Sequence, residues 1–134
     1  ADPGSADLAT LYARQHLVVV SRAARIDPPV APVYTHVKDP EGLRRTTAEA
    51  RALGFFGRSC IHPSQVPVVN EAFTPRREEI EAARAVLDAW NDARARGIGA
   101  IALPGGQFVD EAVARRARAV VALADALEKG SVDG

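Results

Sequence analysis

The sequence has one cysteine and three histidines, and two of these four residues stand together in "GRSCIHPSQVPVVNEAF" (57–73). Cys60 and His62 are two positions apart, which on a strand puts them on one face. A thiol beside an imidazole suggests a nucleophile and its base. That reading is set aside. Neighbouring side chains on one strand do not converge on a common reacting carbon, no third orienting group is present, and free cysteines are mostly buried apolar residues. His62 has two readings. It either fills a hydrogen-bonded corner, or lines a site at the carboxyl end of a strand, where parallel βα architectures gather their chemistry. His36 and Asp39 follow an earlier β-prone run in the same way, and a solvated loop explains them equally well. Asp7, in "GSADLA", is a hard oxygen donor suited to magnesium, which keeps most of its waters and needs one or two protein carboxylates. It could equally be a helix cap or part of a leftover leader, which "ADPGS" resembles.

These residues need a scaffold, and one is legible from Val30 onward, where short β-prone runs alternate with helical ones as in parallel βα units. The first run is "PVYTHV" (32–37). A helix follows, with Asp39 as cap, Pro40 in the first turn, Leu43, Thr47, Ala50 and Leu53 near helical spacing, and Gly54 as the stop. "GRSCIHP" (57–63) is the second run, broken by Pro63, and a polar loop is expected after it. Thr74 and Pro75 then open a long helix with the stripe Ile80, Ala83, Leu87 and Trp90, ended by Gly97. "IGAIALPGGQFV" (98–109) predicts a hairpin around Pro-Gly-Gly. Asp110 caps a last helix in which Val113, Ala117, Val120, Ala124 and Leu127 face inward and Arg115, Arg116 and Arg118 face out. At the front, "LVVV" (17–20) leaves helix and strand in competition, and its helix-forming flanks favour helix. Trp90 and the two tyrosines read as packing residues.

Composition narrows the function classes. Among 134 residues, seventeen basic side chains balance seventeen acidic ones, so no broad positive field is present to hold nucleic acid or an anionic membrane. No apolar run is long enough to span a bilayer, and no secretory leader is evident, so a cytoplasmic location is expected. A single cysteine excludes an internal disulfide and multi-cysteine zinc sites. A metal would have to be held by oxygen or histidine.

"VYTHVKDPEGLRRTTAEARALGFFGRSCIHPSQVPVVNEAFTP", the helix after it, and "GGQFVDEAVARRARAV" together resemble the carboxyl-terminal half of the citrate lyase beta subunit-like family, in the HpcH/HpaI aldolase group. The most specific part is Gly-Phe followed by Ile61-His62-Pro63-Ser64-Gln65, and then, past the long helix, a glycine and Asp110. "LYARQHLVVVSRAAR" is similar to the preceding helix, and "GSADLA" to a strand-end motif with a metal-binding aspartate.

The resemblance implies an α/β fold of the (β/α)8 TIM-barrel type, of which this chain holds the second half, with a carboxyl-terminal hairpin and helix extension. Residues 1–97 would form the partial barrel and 98–134 the extension. The implied activity is carbon–carbon lyase chemistry on a β-hydroxyacyl coenzyme A thioester, citryl-, malyl- or a relative, with Mg2+ stabilising an enolate. Ile61, His62 and Pro63 match the segment lining the coenzyme and substrate cleft. Asp7 matches the metal aspartate, and Asp110 an aspartate that reaches a neighbouring subunit's active site in a homotrimer. Barrels of this kind run to about 250 residues. The glutamate sharing the metal and the arginine holding the substrate carboxylate have no counterpart here, so the chain alone is expected to be inactive. The alternative is a non-catalytic interaction or assembly module that keeps the second half of the barrel.

Overall fold

The computed structural model describes residues 3–130, and the side chains of 8–129. Helices dominate: α1 (Pro3–Ala23), α2 (Pro40–Leu53), α3 (Gln65–Phe73), α4 (Arg77–Ala95) and α5 (Glu111–Gly130). Between them lie four two-residue strands, β1 (Val30–Ala31), β2 (Gly57–Arg58), β3 (Ile101–Ala102) and β4 (Phe108–Val109). The chain divides into two compact units, residues 1–73 and 74–134. The division falls between Phe73 and Thr74, so α4, grouped above with the barrel half, belongs with the hairpin and α5.

In the first unit β1 and β2 pair in parallel, Val30 with Gly57 and Ala31 with Arg58, with α2 as the crossover. This is one βα unit of the expected kind, and among the described residues no larger parallel sheet forms. Both strands are shorter than the β-prone runs, and β1 lies before "PVYTHV" instead of within it. The reason is local. Pro32 has no N–H to give to the ladder, so pairing stops there. Its last rung runs from the Ser59 N–H to the Ala31 carbonyl, at 3.1 Å.

The predicted caps of α2 hold. The Asp39 carboxylate accepts from the Gly42 N–H at 2.9 Å, Pro40 occupies the first turn, and Gly54 ends the helix in the left-handed region at φ 101°. Beneath the sheet, Ala31, Ala50 and Phe55 are buried with Val18 and Leu53 packed on them. Leu43, Val68 and Val69 form another cluster with Tyr34, Cys60 and Phe73. The "LVVV" segment is helical, within α1.

One helix goes against expectation. The stretch read as a polar loop after Pro63 contains α3, although Pro67 sits inside it. A proline is tolerated in the first helical turn, because the N–H groups there have no intrahelical acceptor to lose.

In the second unit α4 begins at Arg77, two residues later than Pro75, and the Glu79 carboxylate reaches back to the Arg76 N–H at 2.8 Å. Its buried face is Ala83, Val86, Trp90 and Ala93, and Trp90 is 2% exposed, a core residue as expected. The hairpin is confirmed. Ile101 pairs with Val109 and Ala102 with Phe108, around a loop in which Gly106 takes φ 81° and donates to the Leu103 carbonyl at 2.8 Å. From α5, Ala114 and Ala117 enter the core with Val109, and Val113, Val120 and Val121 pack against it. Leu127, expected inward, is 44% exposed.

Candidate functional site

The two loops that leave the carboxyl ends of β1 and β2 both pack on the Leu43 cluster, one through Tyr34 and the other through Cys60. The first, residues 32–39, carries Tyr34, His36 and Asp39, and the second, residues 59–64, carries Cys60, Ile61, His62 and Pro63. His62 is therefore not the last residue of a strand. β2 stops at Arg58, and His62 lies in a bend whose carbonyl accepts the Gln65 N–H at 3.0 Å as α3 begins. Its ring is held locally. The Ser64 N–H points at Nδ1 at 3.2 Å, and the Ser64 hydroxyl lies 2.8 Å from the same nitrogen. A backbone N–H can only donate, so Nδ1 is the acceptor and the neutral ring carries its proton on Nε2. Cys60 is half-buried, its thiol 3.8 Å from the Arg58 carbonyl, and it packs against the Leu43 cluster as a small hydrophobe does.

Across from this bend, Tyr34 and Asp39 form the firmest polar pair of the site. The Tyr34 hydroxyl donates to Asp39 Oδ2 at 2.6 Å, while Oδ1 takes the Gly42 N–H. The Tyr34 hydroxyl first, and the Gly42 N–H second, hold the Asp39 carboxyl below its ordinary value of 3.8. The same hydrogen bond raises the Tyr34 phenol above 10.0. The Tyr34 ring meets His36 edge-on at 5.6 Å. With both oxygens engaged, Asp39 serves as a helix cap and not as a free base.

Beside these loops opens a cleft of about 550 Å³. Arg14, Arg45 and Arg58 line it, together with Thr10, Tyr34 and Thr35. Arg58 is steadied by a 3.0 Å hydrogen bond to the Thr46 carbonyl, Arg14 lies 5.9 Å from the centre of the Phe55 ring, and Arg45 stands 3.6 Å from Glu49. Three arginines against the single Asp39 carboxylate, already tied to Tyr34 and Gly42, leave the lining net positive and favour an anionic ligand such as phosphate or carboxylate. None of the three was singled out by sequence reasoning. They come from α1, α2 and β2, and only the fold brings them together. A neighbouring slot of about 400 Å³, lined by Leu8, Leu11, Ala52 and Leu53, shares Arg14 and Arg45 with the cleft and adds the Glu49 carboxylate, which disfavours an anion there.

The other candidates fall elsewhere. Asp110 lies in the second unit, where its Oδ1 accepts the Val113 N–H at 3.0 Å and its carbonyl the Ala114 N–H at 2.9 Å, so it is the N-cap of α5. The backbone of Asp7 is in α1, not at a strand end, and its side chain lies outside the described residues. Among the described residues no three His, Cys, Asp or Glu side chains gather around a common point. These residues do not by themselves fit a magnesium ion. Nor is any described helix long and apolar enough to cross a membrane.

Residues 15–103 match the family model of a C-C bond lyase of the TIM-barrel fold. Over 119 residues the chain is 36% identical to the mitochondrial citramalyl-CoA lyase of Rattus norvegicus, covering 89% of this chain and 35% of that protein. It is 40% identical over 116 residues to the citrate lyase subunit beta of Leuconostoc mesenteroides subsp. cremoris, covering 87% and 38%. Among solved structures it is similar to protein CitE from Mycobacterium tuberculosis in complex with magnesium, acetoacetate and coenzyme A. That match has TM-score 0.70 and 34% identity, covering 87% of this chain and 42% of that one. A citrate lyase from Burkholderia xenovorans LB400 superposes with TM-score 0.76 at 26% identity, covering 95% and 39%. The chain thus spans little more than a third of the length of the curated relatives it matches.

Proposed function

Because the chain belongs to the C-C bond lyase family of the TIM-barrel fold, we propose that it forms part of a lyase that breaks or makes a carbon–carbon bond in a β-hydroxyacyl coenzyme A thioester. The observation that carries this reading is the cleft beside the β1 and β2 loops, where Arg14, Arg45 and Arg58 face one concavity. Coenzyme A brings phosphate groups and the acid part brings a carboxylate, and guanidinium groups bind both through paired N–H donors. That the Mycobacterium tuberculosis relative was solved with coenzyme A and acetoacetate supports the choice of ligand class.

In the cleavage direction the β-hydroxyl gives up its proton and the carbon–carbon bond breaks to leave a carbonyl product. The electron pair passes into the thioester as an enolate, which is then protonated at carbon. Ile61, His62 and Pro63 are not among the residues that line this cleft; in this reading they meet the substrate beyond its edge, where the His62 Nε2–H donates to a substrate oxygen and so binds and orients without transferring the proton. Asp110 handles the proton at the enolate carbon, acting on the site of a neighbouring subunit in a homotrimer.

A second reading, a non-catalytic assembly module, draws on α1, whose Leu8, Tyr12 and Val19 are well exposed. Titration of the 134-residue chain with coenzyme A, followed by amide NMR, separates the two. The lyase reading expects shifts at Tyr34, Thr35 and Arg58 that disappear in Arg58→Ala. Absence of any response at these residues returns the chain to the assembly reading.

A further inference from the structure

Gln65 is 2% exposed, and a buried amide has to find partners for its hydrogen-bonding groups. It finds them on two different loops. Its Oε1 accepts the Ile61 N–H at 2.9 Å, and its Nε2 donates to the Tyr34 carbonyl, thirty-one positions away, at 2.8 Å. The orientation of the amide follows from the partners, since an N–H can only donate and a carbonyl can only accept. Beyond the Ser59 to Ala31 rung the two chains no longer pair through their backbones. The Gln65 side chain supplies one more rung between them.

This rung joins the two loops of the candidate site. Tyr34 is fixed at both ends, its carbonyl by Gln65 and its hydroxyl by Asp39. Ile61, on the other loop, adjoins the His62 bend. Only glutamine supplies an acceptor and a donor at this reach. Ionised glutamate lacks the donor, methionine lacks the donor and offers only a weak acceptor, and asparagine is one methylene short.

We propose that Gln65 is a positioning residue that anchors the Tyr34–Asp39 loop, one wall of the cleft, to the Ile61–Pro63 bend, so that this wall holds one geometry for the ligand. The ligand class rests on the lyase reading above, and the coupling itself does not.

Gln65→Glu and Gln65→Met in the 134-residue chain test it, by amide hydrogen exchange and by coenzyme A titration. Gln65→Glu, read at a pH high enough to ionise the carboxyl, keeps an acceptor for Ile61 and loses the donor to Tyr34, and Gln65→Met removes that donor at every pH. The Val37 and Asp39 amides, bonded to the Thr35 and His36 carbonyls, should then exchange about fivefold faster, the size of one net hydrogen bond, with Ile61 still protected. Gln65→Met should release Ile61 as well, and it stands in if a buried carboxylate prevents folding. In both variants Val68 and Val69 on α3 should keep wild-type exchange, and coenzyme A should bind about fivefold more weakly. Unchanged exchange at Val37 and Asp39 overturns the coupling. Uniform loosening that includes Val68 and Val69 also overturns it, reducing Gln65 to a general packing residue. Unchanged coenzyme A affinity with the loops uncoupled overturns the positioning role. If the wild-type chain ignores coenzyme A, the lyase reading fails and the exchange data still decide the coupling.

Discussion

Asp39 Oδ2 accepts the Tyr34 hydroxyl at 2.6 Å while Oδ1 of the same carboxylate caps α2 through the Gly42 N–H, so a single side chain ties the β1 loop to the helix that follows it. The pair gives this loop a defined dependence on pH.

The Asp39 carboxyl lies below its ordinary 3.8 because of Tyr34 and Gly42, and the Tyr34 phenol lies above its ordinary 10.0 because of Asp39. A depressed acid stabilises the fold above its unfolded value and loses that contribution as pH falls through its folded value. A raised phenol contributes fully below 10.0 and loses its share as pH rises through its folded value. Melting temperatures of wild type and Tyr34→Phe should therefore differ by a constant amount across the neutral range. The curves should converge on the acid side of 3.8 and again on the alkaline side of 10.0. A gap that stays constant through both limits would show that the hydrogen bond has no ionic character.

A side chain at Gly42 would displace the Tyr34–Asp39 pair. A Cβ there would collide with the Tyr34 hydroxyl oxygen and with Asp39 Oδ2. Gly42→Ala is expected to destabilise the chain by about 1–3 kcal/mol, in spite of alanine's better helix propensity. In a Tyr34→Phe background the loss should be smaller, because the nearest colliding atom, the Tyr34 hydroxyl oxygen, is gone. Equal losses in both backgrounds, read from urea unfolding, would place the strain elsewhere.

Neutral His62 should be the Nε2–H tautomer, since the Ser64 N–H occupies Nδ1. The ¹⁵N shifts of the ring report this directly. In the active lyase, His62→Ala should raise KM more than it lowers kcat, as expected when uniform binding is lost. A large fall in kcat at constant KM would give His62 the proton-transfer role instead.

Asp110 caps α5, and asparagine caps a helix about as well as aspartate. Asp110→Asn should leave unfolding nearly unchanged, while Asp110→Ala lowers stability by about 1 kcal/mol. Asparagine cannot take up a proton, so in the active lyase both variants should lose turnover alike. Mixed assemblies of Asp110→Ala subunits with subunits defective in the cleft should regain part of it. Full activity in Asp110→Asn would leave Asp110 as a cap alone.

What could be read from the sequence were the features encoded within a few residues. Asp39, Pro40 and Gly54 announce both ends of α2 because capping is local, and the Pro-Gly-Gly tip announces the hairpin for the same reason. The family resemblance was carried by contiguous motifs such as "IHPSQ". The features missed were those in which a local signal points the wrong way or does not exist. A polar loop is the expectation after Pro63, yet α3 forms there with Pro67 in its first turn, where a missing N–H costs little. The β-prone residues after Pro32 have no partner strand. The convergence of Arg14, Arg45 and Arg58 and the bridge made by Gln65 join residues far apart along the chain, and no spacing rule announces them.

The two strand pairings described above differ in the loops they close. Ile101 reaches Val109 around a tight hairpin, whereas Val30 reaches Gly57 only after the whole of α2 has been laid down. Because closure entropy grows with the logarithm of loop length, the longer span costs about 1 kcal/mol more to bring together. In a chain refolding from denaturant, the hairpin register locks first and the parallel register follows. On the ribosome the sequence runs the other way, since residues 30–57 emerge ahead of 101–109. Vectorial synthesis thus gives the slower pairing a head start that refolding in the test tube does not.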